Sequence, residues 1–272
     1  MSKPLILVTN DDGVRSPGLS AAAEAVCDLG ELLIVAPATQ QTGMGRGIPR
    51  VDEGNVTEEH LSVDCKDVVA YGLTGSPALA VLYGVLVLAT RKPDIVVSGI
   101  NYGENLGTSV TSSGTVGAAL QAAELGIAGL AVSLETDKAY HFRHGHDVDW
   151  HAAAYFTHYF AQALLCRQLP FDVDVLKIDI PTGATPETGW RVTRQSRQSY
   201  YRVLPPRQRP LAGELVRLDY KVDVNWDSLE SDSDIQAFAR DRLVSVTPLS
   251  HELTSRTNLE TLRCWLQENH NR

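Results

Sequence analysis

Leu5-Ile6-Leu7-Val8-Thr9-Asn10-Asp11-Asp12-Gly13 decides the fold class. Its first four residues are an unbroken apolar run, which suits a strand buried on both faces, and the polar loop that ends the run marks the strand's carboxyl end. Pro17-Gly18 then opens a segment with Leu19, Ala22, Ala23 and Val26 at helical spacing, and Gly30 follows where a helix stop belongs. The pattern recurs: strands Leu32–Ala36 and Val68–Leu73, a helix from Pro77 to about Ala89, strand Asp94–Val97, a helix from about Gly114 to Leu125, and strand Gly129–Leu134. Alternating buried strands and helices specify a doubly wound, mostly parallel α/β sheet with helices on both faces.

The second half changes character. Asp137–Trp150 is polar and histidine-rich, Trp150–Gln168 reads as an amphipathic helix, and Val173–Ile180 returns to strand. From Leu215 to Trp226 the alternation is strict, with Val216, Leu218, Tyr220, Val222, Val224 and Trp226 separated by polar residues, as in a half-buried antiparallel strand. Its expected partner is Trp190–Val203, with Pro205, Pro206 and Pro210 keeping the connection irregular. Such a hairpin has too little core to stand alone and needs a covering surface, for which a partner subunit is expected. A helix at Asp234–Arg240, a strand at Leu243–Val246 and a C-terminal helix from about Leu259 complete the chain. The expected division is a catalytic core over 1–185 and, over 186–272, a protruding hairpin arm with a C-terminal oligomerisation segment packing on core and partner.

With 272 residues, 43% hydrophobic and 21% charged, the chain lies in the ordinary globular range. Its 24 Lys and Arg against 33 Asp and Glu give a net charge of −9 without any basic block, which argues against duplex nucleic acid as a partner. The longest apolar run, Ala78–Ala89, is too short to span a bilayer, and Met1-Ser2-Lys3-Pro4 opens no signal-peptide pattern. A cytoplasmic protein without membrane contact is expected. Cys27, Cys65, Cys166 and Cys264 lack metal-site spacing and are read as structural, apolar thiols.

The opening stretch also places the chemistry. Asp11 and Asp12 stand at the carboxyl end of the first strand, where open α/β sheets bind ligands. Adjacent carboxylates repel at neutral pH, so either one holds a proton or a cation joins them. No Lys, Arg or His lies within two residues, which makes a bound metal the simpler account. Loops Pro37–Gly43 and Ser98–Gly107 follow two other strands and open on the same sheet edge, adding hard oxygen donors of the kind Mg²⁺, Mn²⁺ or Ca²⁺ prefer. Ser113-Gly114-Thr115 begins a helix with small residues that let an anion approach free backbone N–H groups. A metal beside an anion cradle points to a phosphate ester. His141, His144, His146 and His151, with Asp147 and Asp149, form the densest donor cluster, but most fall in an irregular loop and are read as solvated surface.

Competing motifs fail on spacing. Gly43-Met44-Gly45-Arg46-Gly47 lacks the dinucleotide spacing and is followed by Ile48-Pro49 instead of a helix. No G-x-x-x-x-G-K-[ST] phosphate loop occurs, Gly107-Thr108-Ser109-Val110-Thr111 misses the nucleophile elbow at its last position, and Gly13 stands where a haloacid-dehalogenase-type phosphatase carries Asp.

Leu7–Gly13, Val35-Ala36-Pro37, Ser98-Gly99-Ile100-Asn101 with Gly103, Asn105, Leu106 and Gly107, and Ser113–Ala119 together resemble the survival protein SurE family of metal-dependent nucleoside monophosphatases. Thr193–Arg197 and Val244–Leu249 extend the resemblance through the second half. It implies a Rossmann-like core and C-terminal exchange between subunits in homodimers or homotetramers. It also implies one divalent cation per subunit, Mg²⁺ or Mn²⁺, on Asp11, Asp12, Asn101 and Thr42, with phosphate held by Asn105 and Ser113-Gly114-Thr115; Asn10 and Gly43 join the expected substrate contacts. The chain departs from the family where Thr42 replaces Ser, Ala38-Thr39 replaces Asp-Arg, and Leu79-Ala80 replaces a polar pair. The expected reaction is hydrolysis of a small-molecule phosphate ester, a nucleoside 5′-monophosphate, with Asp11 and Asp12 as the catalytic pair. The rivals are a catalytically silent metal and nucleotide binder and a metal-dependent glycosyltransferase.

Overall fold

The computed structural model describes residues 3–50, 54–64, 66–141, 145, 147–206, 213, 216 and 218–268. Its centre is β1 (Leu5–Thr9), wholly buried along its length. Strand polarity makes Ile6 and Val8 pack under α1 (Pro17–Val26), while Leu7 faces the opposite layer. Pro17 occupies the first turn of α1, where its missing N–H leaves no bond unmade. After β2 (Glu31–Pro37) the chain makes an antiparallel pair, β3 (Val56–Val63) and β4 (Lys66–Leu73). β3 was not expected from the sequence, because an edge strand reading Val-Thr-Glu-Glu-His-Leu-Ser-Val has only one partner and exposes most of its side chains.

The helix expected from Pro77 to about Ala89 is shorter: α2 (Pro77–Tyr83) gives way to a π-helical turn over Gly84–Leu88. β5 (Ile95–Tyr102), α3 (Gly114–Glu124), β6 (Ala128–Leu134), α4 (His151–Cys166) and β7 (Val175–Ile180) then follow in the expected order. The nine-stranded sheet runs β3-β4-β2-β1-β5-β6-β7 and is completed by β11 (Val244–Leu249) and β8 (Trp190–Val192). From β4 to β7 all pairings are parallel. Helices α1 and α4 pack with one face, α2 and α3 with the other, so the sheet is doubly wound as expected.

The hairpin is real but shorter than its pattern. β9 (Tyr201–Leu204) pairs antiparallel with β10 (Asp219–Val222) in a separate two-stranded sheet. Trp190–Val192, expected on the hairpin, instead pairs parallel with β11 at the edge of the main sheet. Of the alternating stretch 215–226, residues 215 and 217 lie outside the described ones. The helix at 234–240 ends in a π-helical turn, Gln236–Arg240, and α5 (Leu259–Glu268) closes the described chain. The thiols are less buried than expected: Cys27 is half-buried, Cys166 and Cys264 are exposed, and Cys65 lies outside the described residues. No helix among the described residues is long and apolar enough to cross a membrane.

Candidate active site

Strand order reverses at β1, which is flanked by β2 on one side and by β5 on the other. Loops leaving neighbouring strands diverge at such a point, at the carboxyl ends where open α/β sheets bind ligands. Asn10, Asp11 and Asp12 leave β1 at that end, and Asn101 lies near the end of β5, past a register shift between Ser98 and Asn101.

Asn10 builds the loop. Fully buried, it accepts the Gly13 N–H on Oδ1 at 3.1 Å and donates from Nδ2 to the Gly13 carbonyl at 3.2 Å, so its side chain shapes the turn. That turn sets Asp11 and Asp12, 4% and 2% exposed, side by side. The Thr115 hydroxyl donates to Asp11 Oδ1 at 2.6 Å. Asp12 takes the Gln40 side-chain amide on Oδ1 at 3.0 Å and the Tyr102 N–H on Oδ2 at 3.2 Å. Gln41 N–H binds the Asp11 carbonyl at 2.6 Å, laying the segment that carries Thr42 along the pair.

Burial raises the Asp11 carboxyl above the ordinary range, against the Thr115 hydroxyl and the backbone amides of Thr115 and Gly114, which hold the carboxylate form. Asp12 is pushed well higher, first by burial and then by the charge of Asp11. The helix start read as an anion cradle is therefore already filled by the Asp11 carboxyl. Gly114 is what permits this: a Cβ there would lie 2.7 Å from Asp11 Cβ and 2.8 Å from Oδ2. Ser113 caps α3, its hydroxyl oxygen accepting the Val116 N–H at 3.1 Å.

The other expected residues are distributed as follows. Asn101 Nδ2 donates to the Gly103 carbonyl at 2.6 Å, which fixes the amide plane. Thr42 and Gly43 are exposed, and space opens around Gly43 where a Cβ would meet no atom within 4 Å. Asn105 is turned inward, its N–H on Asp179 and its Nδ2 on Ser133 Oγ at 2.8 Å.

A second layer went unread in the sequence. Gln40 Nε2 bridges Asp12 and the His141 carbonyl. His141, expected as solvated surface, is only 8% exposed because its ring lies on Gly103, where φ is +96° and a Cβ would come within 2.6 Å of Nε2. Its Nδ1 meets the Tyr220 hydroxyl of β10 at 2.7 Å, and Tyr201 of β9 donates its hydroxyl to Glu104, whose carboxyl burial pushes up to about 7. His151 is exposed, while His144 and His146 lie outside the described residues. The alternation of Tyr220 with polar neighbours was the available signal for half of this contact; nothing local marked Gln40 or His141.

The donors gathered here suit a hard divalent cation. Two buried neighbouring carboxylates, both biased toward the protonated form, are stable as a charged pair only when positive charge joins them. Among the described residues, what acts on Asp11 is its burial, the Thr115 hydroxyl and backbone amides, with no Lys or Arg among them. The remaining expected donors, the Asn101 amide and the Thr42 hydroxyl, are oxygen ligands, the class that binds Mg²⁺ or Mn²⁺.

The chain is similar to known proteins over most of its length. The family profile described as "Survival protein SurE" matches residues 6–202. "5'-nucleotidase SurE" of Methanocella arvoryzae is 41% identical over 258 residues, covering 92% of this chain and 93% of that protein. "5'-nucleotidase SurE" of Methanothermobacter thermautotrophicus is 42% identical over 230 residues, covering 81% and 86% respectively. The crystal structure of the SurE protein from Aquifex aeolicus superposes with a TM-score of 0.74 at 30% identity, covering 97% of this chain and 100% of that one. Fold and sequence agree over most of the length, and the chain belongs to the survival protein SurE family.

Proposed function

We propose that this protein is a metal-dependent phosphomonoesterase that hydrolyses nucleoside 5′-monophosphates to nucleoside and phosphate. The observation that carries the reading is the buried Asp11–Asp12 pair at the switch point of the sheet, with an open rim at Gly43 beside it. The relatives named as 5'-nucleotidases support the choice of substrate.

Asp11, Asp12, Asn101 and Thr42 would hold one Mg²⁺ or Mn²⁺, which would supply charge against the phosphoryl oxygens and acidify a water. The Thr115 hydroxyl orients Asp11 toward the cation. Gln40 and the Tyr102 N–H orient Asp12. Asp12, held in place by Gln40 and the Tyr102 N–H, would orient the attacking water or take its proton, while Asp11 stays on the metal. Gly43 leaves room on the phosphate side, which Asn105 shapes from within, while Ser113, Gly114 and Thr115 act on that side through Asp11, which the start of α3 holds in place.

The deciding assay is inorganic phosphate release from a panel of nucleotides and generic phosphate esters, with Mn²⁺, with Mg²⁺ and with chelator. Release from nucleoside monophosphates that chelator abolishes is the expected result. Thermal stabilisation by Mn²⁺ plus nucleotide without any phosphate release would instead identify a silent binder.

The active form is a homodimer or homotetramer. Supporting this, α5 leaves Leu259, Leu262, Trp265 and Leu266 between 40% and 64% exposed, and the hairpin leaves Val203 and Val222 at 59% and 46%. Apolar side chains in such groups mark surfaces that another chain covers. Light scattering on the full chain should give a dimer or tetramer mass, and a monomer at micromolar concentration would refute this part.

A further inference from the structure

Lys177, Asp179 and Asp234 form an ion triad enclosed on all sides, each 0% exposed. Lys177 and Asp179 project from the same face of β7, and Lys177 Nζ bonds Asp179 Oδ2 and lies 3.3 Å from Asp234 Oδ2. Burial would neutralise the lysine, but the two carboxylates outweigh it and hold the ammonium above its ordinary range. The reaction described above uses none of the three.

Buried charges are retained at low cost only where their remaining lone pairs are also satisfied, and here those partners are informative. Asp179 Oδ1 accepts the Asn105 N–H at 2.7 Å. Asp234 Oδ2 accepts the Gly107 N–H at 3.0 Å, and its Oδ1 accepts the Ser196 N–H at 2.9 Å. The same two segments are tied again by Gln195 Nε2 on the Gly107 carbonyl at 2.9 Å and by the Thr108 N–H on the Gln198 carbonyl at 3.0 Å. The triad thus touches the backbone of the loop that follows Asn101 and the Thr193–Gln198 segment that leads into the hairpin.

We propose that Lys177, Asp179 and Asp234 are positioning residues for the substrate side of the site, clamping Asn105 and Gly107 from within the sheet and fastening that loop to the root of the hairpin. The substrate readout rests on the phosphomonoesterase reading; the placement of the loop does not. A preformed clamp lets the loop meet substrate without first being ordered.

The test compares Asp179→Asn with Asp179→Leu in the full chain loaded with Mn²⁺. Both leave Lys177 balanced by Asp234, but only Asn keeps an acceptor for the Asn105 N–H. The expected result is a KM for a nucleoside 5′-monophosphate raised roughly tenfold or more by Leu and within about threefold of wild type for Asn, an effect of the size seen for lost outer contacts. The Mn²⁺ midpoint, read by thermal shift without substrate, should stay unchanged in both. Equal KM values in the two variants would overturn the proposal. Should the Leu variant not fold, amide hydrogen exchange on the wild-type chain decides: the Asn105 and Gly107 amides must be protected before any metal or ligand is added, and exchange at the rate of an open loop overturns it. A wild-type chain that releases no phosphate from any nucleotide would defeat the phosphomonoesterase reading instead, leaving the exchange measurement to judge the clamp.

Discussion

Asp11→Asn should lower phosphate release from a nucleoside monophosphate by about three orders of magnitude at limiting Mn²⁺, with the fold intact. Asparagine matches the shape of aspartate and keeps an oxygen for the Thr115 hydroxyl, so what is removed is charge. A ligand charge lost beside a catalytic cation forfeits several kcal/mol of transition-state stabilisation, and each ~1.4 kcal/mol is a factor of ten. Stability should move oppositely. The folded chain holds the Asp11 proton more tightly than the unfolded chain, because burial raises its carboxyl. Without metal, the wild-type protein therefore loses stability as pH rises from the ordinary carboxylate range through the raised one, and Asp11→Asn escapes that loss. Melting in chelator at pH 8 should show the variant above wild type, and adding Mn²⁺ should reverse the order by stabilising wild type alone. At a hundredfold excess over Kd the metal contributes about 2.7 kcal/mol. Turnover near wild type at limiting Mn²⁺ would show that Asp11 does not hold the metal.

Gly114→Ala should raise the Mn²⁺ requirement by roughly 10- to 100-fold, the range measured when an outer contact of a metal ligand is lost. Helix propensity alone gives no reason to expect a loss, since alanine is a better helix former than glycine. The new methyl, however, would stand 2.7 Å from Asp11 Cβ, and neither the fully paired β1 nor the capped start of α3 has room to retreat. Asp11 must turn away from Thr115. A Mn²⁺ titration of phosphate release reads the effect; an unchanged midpoint would mean that the close approach of α3 to Asp11 is not needed to hold the metal ligand.

Much of the fold and the acidic pair was legible locally. Five or six buried residues in a row define strands such as β1 and β5 without reference to their neighbours, and helix starts at Pro17 and Ser113 carry their own chemistry. Two carboxylates adjacent in sequence remain adjacent in space, so Asp11 and Asp12 needed no tertiary knowledge. Misreadings fell where pairing or burial is decided by distant groups. Trp190–Val192 has the composition of a hairpin strand, yet a free edge on β11 claims it. His141 has the surroundings of a solvent loop, yet a glycine in another loop accepts its ring.

By itself the sequence determined a doubly wound sheet and the acidic pair at its tip, because hydrophobic period and covalent adjacency act over a few residues. Only the tertiary structure decided that the start of α3 holds Asp11, that Gln40 and His141 stand behind Asp12, and that Lys177 balances two aspartates, one of them 57 positions away, beneath Asn105 and Gly107. Such contacts join chain segments whose meeting depends on strand order, and no local pattern of residue types encodes which loops an open sheet will bring to the same edge.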